Sequence, residues 1–126
     1  MLSATDNDYM SRVGTGTPMG NYLRRYWHPF LESSQLPEPD GNVLNVTLLG
    51  ERLIVFRDSA GKVGLMQWNC PHRSAPLYYA RNEESGLRCV YHGWKFDVTG
   101  QCVDMPSEPA VSNFKDKVRA RAYPVE

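Results

Sequence analysis

Two mixed pairs of cysteine and histidine stand close together in this chain: Cys70-Pro71-His72 and Cys89-Val90-Tyr91-His92. Gly93 and Trp94 follow the second pair directly. Written as a pattern this is C-x-H, sixteen residues, then C-x-x-H. Thiolates and neutral imidazoles are metal ligands, and two of each at these spacings suit two kinds of centre. One is a binuclear iron–sulfur cluster in which two imidazoles replace two thiolates on one iron. The other is a tetrahedral zinc site. Zinc sites usually open with two Cys separated by about two to four residues and bring their His as a separate pair. Here each pair is mixed, so each loop can offer one ligand to each of two irons. The spacing favours the iron–sulfur cluster, and zinc or a set of unliganded side chains remain the alternatives.

The ligand types carry an electrical consequence. A thiolate is negative and a neutral imidazole is not. Replacing two thiolates removes negative charge from around the cluster, so an electron is added more easily. Such clusters lie at roughly −150 to +300 mV, against about −400 mV for plant-type ferredoxins. The pattern therefore points to the passage of single electrons.

The elements that must position these pairs read as short strands. Residues 43–49 and 52–57 are rich in β-branched and aromatic side chains, and Gly50-Glu51 between them reads as a hairpin turn. Residues 58–62 read as another turn, leading into a strand over 63–67 and then into the first Cys–His pair. Short strands over 88–91 and 94–98 flank the second pair. Thr99-Gly100 turns the chain into 101–103, and residues 118–123 alternate with period two as a half-buried strand does. The segment 32–42 carries Pro37, Pro39 and Gly41 and reads as a surface loop. Ahead of the strands lies a helical arm. Residues 5–13 suit a short helix. Thr17-Pro18 suits an N-cap and first helical position, with the helix running over 19–26. Many short strands and frequent turns predict an all-β domain, an antiparallel sandwich or partial barrel, with a helical arm over residues 1–30 and the main domain over 31–126.

The surroundings of the ligands resemble the Rieske non-haem iron oxygenases, the aromatic-ring-hydroxylating family. The run Asn69 to Leu77 is similar to that family's first cluster loop. The run Arg81 to Asp97 is similar to the second loop and the strand after it. The run Gly100 to Pro109 resembles the proline loop that lies beside the cluster. Within the family the likeness is to the phthalate 4,5-dioxygenase group of oxygenase subunits, and it runs from about Gly14 to the last residue. The resemblance implies the Rieske fold, a β base carrying a small cluster-binding subdomain. It implies that Cys70 and Cys89 bind the inner iron and His72 and His92 the outer iron of a 2Fe–2S cluster. Trp94, Tyr78, Tyr79 and Pro76 are expected to wall the cluster from water or to serve as ordinary packing. Ser74 stands where the family more often has glycine. Serine can keep the turn if φ is negative there, so a local adjustment rather than loss of the cluster is expected.

Composition narrows the field. The length of 126 residues supports a single core. The formal net charge is zero, so nothing favours nucleic acid or an anionic membrane. No apolar run is long enough to span a bilayer. The N-terminus has no basic–apolar leader pattern, so a cytoplasmic location is expected. Of three cysteines two are assigned to metal, leaving Cys102 as a packed thiol with no disulfide partner. Arg24 and Arg25 read as a solvated face or as salt-bridge partners, and His28 as structural.

Catalysis is limited by the histidine count. The resembling oxygenases hold a second, mononuclear iron with two His and one carboxylate. Three histidines are present, and with two in the cluster only His28 is left. The chain is thus expected to be the Rieske domain of an oxygenase, without the catalytic domain. It would relay electrons from a reductase or ferredoxin to the mononuclear iron of a catalytic domain. The resemblance places that iron across a subunit boundary in a trimer, with NAD(P)H as the ultimate donor. The alternative is a free-standing Rieske-type ferredoxin. The arm from Gly14 to Phe30 argues against it, because ferredoxins of this type usually begin directly at the β base.

Overall fold

Alternating apolar side chains build the base of the molecule, which a computed structural model describes over residues 1–126. Strands β1 (Leu44–Leu48), β2 (Glu51–Arg57), β3 (Val63–Gln67) and β8 (Ala122–Tyr123) form one antiparallel sheet in the order β1-β2-β3-β8. Strands β4 (Arg81–Glu83), β5 (Gly86–Arg88), β6 (Lys95–Phe96) and β7 (Cys102–Asp104) form a second sheet in sequence order. The domain is all-β apart from short helical pieces, as its sequence predicts.

Central strand β2 is buried on both faces, which explains its unbroken apolar run from Leu53 to Phe56. Leu53 and Val55 join Leu65 and Leu36 on one face, with Phe30 and Leu31 packed against them. Ile54 and Phe56 point the other way. With Met66 they meet Leu87, Phe96, Cys70, Cys89 and Trp94 of the second sheet and its loops. Phe56 and Phe96 are fully buried, each favouring the fold by about 1.5–3 kcal/mol relative to exposure. The sulfur ligand candidates therefore lie in the main core.

The β1–β2 turn falls one residue earlier than expected. Leu48 pairs with Glu51, and Leu49 and Gly50 both take positive φ, +49° and +75°. A two-residue hairpin loop of this twist needs positive φ at both positions, and glycine at only one of them makes Leu49 the strained member. Other limits also moved. The strand expected over 88–91 is β5, which ends at Arg88 because the next residues turn through the ligand loop. The strand over 94–98 shrinks to Lys95–Phe96, and that over 118–123 to Ala122–Tyr123 with a single bridge from Arg119 to Gln101. Strand β4 was not foreseen.

The arm carries α1 (Ala4–Ser11) and α2 (Pro18–Leu23). Ser3 caps α1 by accepting from Asp6 N, and Thr17 caps α2 by accepting from Gly20 N, with Pro18 in the first turn. Helix α2 ends at Leu23 rather than Tyr26. Arg24 then fastens the arm: its guanidinium donates to the carbonyls of Val13, Gly20 and Leu49. His28 Nε2 lies 2.7 Å from Leu23 O, a structural contact as expected. No helix is long and apolar enough to cross a membrane.

Candidate metal centre

Both Cys–His pairs sit at the tips of hairpins. The first loop leaves β3 and returns at Pro76, which bridges to Asn69, while Leu77 N donates to Trp68 O at 2.8 Å. The second loop joins β5 to β6, where Leu87 pairs with Phe96 and Arg88 with Lys95. The tips are built alike. Cys70 N donates to Ala75 O (2.8 Å) and Ser74 N to Cys70 O (2.9 Å). Cys89 N donates to Trp94 O (2.9 Å) and Gly93 N to Cys89 O (2.9 Å). Each cysteine thus opens a turn that closes five residues on.

The fourth residue after each cysteine has positive φ: +57° at Ser74 and +77° at Gly93. The negative φ under which serine would fit the turn without strain is therefore not the one Ser74 adopts. The turn geometry is shared, so serine adopts the left-handed conformation that glycine takes more freely in the other loop. At Gly93 a side chain would also be crowded, since a Cβ there would lie 3.1 Å from Pro106 Cγ. The proline loop therefore lies directly on the second ligand turn, as the resemblance implies.

The four candidate ligands pair by type. Cys70 and Cys89 are 2% and 3% exposed. Burial pushes the Cys70 thiol up to about 11; the His72 and Arg73 amides pull it down, and the Cys89 thiol raises it further. The two thiols lie close enough to interact and are buried together in the main core. The His72 and His92 rings meet edge to face with centroids 4.6 Å apart. Burial, then the His92 imidazole and the Arg73 guanidinium, push His72 below its usual value, favouring the neutral form that binds metal. No three His, Cys, Asp or Glu side chains gather as ligands of one ion. Two thiols on one side and two imidazoles on the other suit a binuclear cluster, so the residues fit the 2Fe–2S group.

Aromatic side chains frame the imidazoles. Trp94 is 8% exposed and lies flat against His72. Phe114 meets Trp94 edge on at 6.2 Å, and Tyr91 tilts against His92 at 3.9 Å. Tyr78 stacks on Trp68 behind the first loop. Tyr79 is 65% exposed and does not wall the site. Cys102 is buried, and burial raises its thiol pKa, consistent with a packed role. Sequence reasoning gave no role to Phe114 or Arg88. The Arg88 guanidinium donates to Gly93 O (2.9 Å), Glu83 Oε1 (2.9 Å) and Asp104 Oδ2 (2.7 Å). Its only sequence signal was its place next to Cys89. A groove of about 630 Å³ lies between the arm and the base sheet, and none of the four candidate ligands lines it.

A β domain that sets two Cys–His turns face to face, thiols inward and imidazoles outward, is an iron–sulfur protein of the one-electron kind. The Rieske [2Fe-2S] domain family matches residues 26–115, and this chain belongs to that family. Over all of its 126 residues it is 51% identical to the 3-chlorobenzoate-3,4-dioxygenase oxygenase subunit of Comamonas testosteroni, covering 29% of that protein. It is 50% identical to the phthalate 4,5-dioxygenase oxygenase subunit of Pseudomonas putida, with 98% of this chain and 28% of the relative covered. Among solved structures it resembles dicamba monooxygenase bound to dicamba, with a TM-score of 0.70, 31% identity, and coverage of 82% and 31%. It also resembles a chain of the reduced oxygenase–ferredoxin complex of carbazole 1,9a-dioxygenase, with a TM-score of 0.66, 28% identity, and coverage of 80% and 26%. The chain thus spans about three-tenths of the length of the curated relatives it matches.

Proposed function

We propose that this chain is the electron-relay domain of an aromatic-ring-hydroxylating oxygenase. Cys70 and Cys89 hold one iron of its 2Fe–2S cluster and His72 and His92 hold the other. The observation that carries this reading is the pairing of buried thiols and facing imidazoles on two matching turns. The cluster, when bound, supplies a one-electron acceptor and donor. The protein's own residues do the rest. The core holds the thiols away from water. Trp94 fixes the plane of His72. His92 is exposed, with Val90 and Tyr91 beside it presenting apolar surface that a partner can cover.

Electrons would arrive from a reductase or ferredoxin and leave for a mononuclear iron in a catalytic domain of the same or a neighbouring subunit of a trimer. Two features support this. The relatives are oxygenase subunits more than three times as long as the matched region. His28 is the only histidine outside the cluster pairs and is bonded to Leu23 O, so these residues offer no two-His-one-carboxylate set. A reducing cytoplasm suits the three free cysteines.

Electron paramagnetic resonance before and after anaerobic reduction, with iron and sulfide assayed on the same sample, tests the proposal. A silent oxidised state and a Rieske-type signal on reduction are expected. Cys70→Ser and Cys89→Ser should lose the signal, and Cys102→Ser should keep it. A zinc-containing chain silent in both states after reconstitution with iron and sulfide overturns the reading.

A further inference from the structure

The two ligand turns share their backbone pattern but not their support. At the first, the Gln67 side chain donates to Asn69 O. At the second, a charged residue does this work. Arg88 immediately precedes Cys89, and its side chain is only 13% exposed. One guanidinium nitrogen donates both to Gly93 O and to Asp104 Oδ2, while Nε donates to Glu83 Oε1. A single side chain therefore ties the carbonyl of the turn's left-handed glycine to the residue just ahead of the turn, and ties both to β4 and β7. Charge-assisted bonds in a fork of fixed geometry are the strong kind, and they restrict a loop more than one point charge does.

Charge adds a second effect. Glu83, Glu84 and Asp104 gather around Arg88 and Lys95, with Lys95 Nζ 3.2 Å from Glu84 Oε2. Arg81 Nε adds a third cation, 3.3 Å from Glu83 Oε2. Removing Arg88 leaves Asp104 with no cation partner and Glu83 paired with Arg81 alone, beside the strand that leads into Cys89. Removing the Asp104 charge has the opposite electrostatic sign.

We propose that Arg88 is a positioning residue for the cluster: it clamps the second ligand turn, and its charge offsets carboxylates that would otherwise disfavour reduction. This inference rests on the reading of Cys89 and His92 as ligands. The clamp keeps His92 in register with His72 across the gap between the turns. The charge raises the potential at which the domain accepts its electron.

The test is a redox titration followed by electron paramagnetic resonance, with the half-life of the cluster in a chelator measured on the same preparations of this chain. Arg88→Met should lower the potential enough to change the reduced-to-oxidised ratio at least threefold. That is about 28 mV, at about 59 mV per tenfold for one electron. It should also shorten the cluster's half-life severalfold. Arg88→Lys should restore most of the potential but not the half-life, because the charge returns without the fork. Asp104→Asn should raise the potential. A purely structural role would move both neutralising variants in the same direction, and that result overturns the charge effect. Wild-type potential and half-life in Arg88→Met overturn the whole inference while leaving the ligand reading intact. If Arg88→Met does not fold, Asp104→Asn and Arg88→Lys decide, and an unshifted potential in the first with a wild-type half-life in the second overturns the inference. Absence of any Rieske signal in the reconstituted wild type overturns the ligand reading itself.

Discussion

His72 lies flat on the indole of Trp94, ring centroids 4.2 Å apart and planes 12° apart. His92 has no such platform and is met by Tyr91 at 42° on the exposed side. The two imidazoles are therefore unequal: one is held by the core and the other faces outward. Trp94 is held in turn: Phe114 meets its edge and Cys89 N donates to its carbonyl.

Replacing Trp94 by Leu should loosen His72 and open a cavity at the core's edge. Truncation of a buried Trp costs on the order of 3 kcal/mol, and Trp94→Phe should recover part of it. Thermal unfolding and retained iron, followed together, check this. A Leu variant as stable as wild type with full iron content would remove the platform role.

Ser74 and Gly93 give a prediction of opposite signs. Left-handed backbone costs a residue with a Cβ about 1–2 kcal/mol, so Ser74→Gly should raise stability by up to about 1 kcal/mol once glycine's greater chain entropy is deducted. Gly93→Ala meets both positive φ and Pro106, and should lower stability by about 1–3 kcal/mol. Denaturant titration of both variants measures the pair. Equal effects at the two positions would mean that the turns are not alike.

The candidate ligands stand out in the sequence because their chemistry is local: a C-x-H and a C-x-x-H pair need only a few residues each to declare themselves. The strands of the base were legible for a similar reason, since Leu53 to Phe56 and Val63 to Gln67 carry their burial in their composition. What escaped depends on partners distant in sequence. Nothing near Arg88 announces that Asp104 and Gly93 will converge on it. Strand β4 is Arg-Asn-Glu, which no propensity favours, and it exists because it pairs with β5 across a tight turn. The sign of φ at Ser74 is not legible locally either, because it is set by the hydrogen bonds closing the turn and not by the residue's own preference.

Asn82 joins the two sheets' neighbourhoods. Its side-chain amide donates to Gly41 O (3.0 Å) and Arg57 O (2.8 Å), tying β4 to the end of β2 and to the loop before β1. Asn82→Ala removes both bonds and leaves Gly41 O without its partner, while Arg57 O keeps the bond from Asp40 N, at a cost of about 1–3 kcal/mol. Asn82→Asp should cost at least as much, because it places a carboxylate against both carbonyls. Denaturant unfolding should therefore rank wild type above Ala, and Ala at or above Asp. An Asp variant as stable as wild type contradicts the geometry.

Glu51 holds the opposite end of the base together. Its carboxylate accepts from Tyr123 Oη at 2.7 and 2.8 Å, pairs with Arg121 at 2.7 Å and lies 3.8 Å from Arg24. It thus joins the arm, β2 and β8. Burial first, then the bond to Glu51, raise the Tyr123 pKa above its ordinary 10.0. The raised value means that the folded state holds the phenolic proton at a pH where the unfolded chain releases it. By linkage, the stability this contributes is fully present below about pH 10 and is lost as pH rises through the raised value. Tyr123→Phe should remove that alkaline slope and lower stability at neutral pH by about 1–2 kcal/mol, because a hydrogen bond to a charged acceptor is lost. The difference in unfolding free energy between wild type and Tyr123→Phe should therefore shrink from pH 9 upward, with other groups cancelling in the comparison. A difference that stays constant across the alkaline range would mean that the Tyr123 proton is not shared with Glu51.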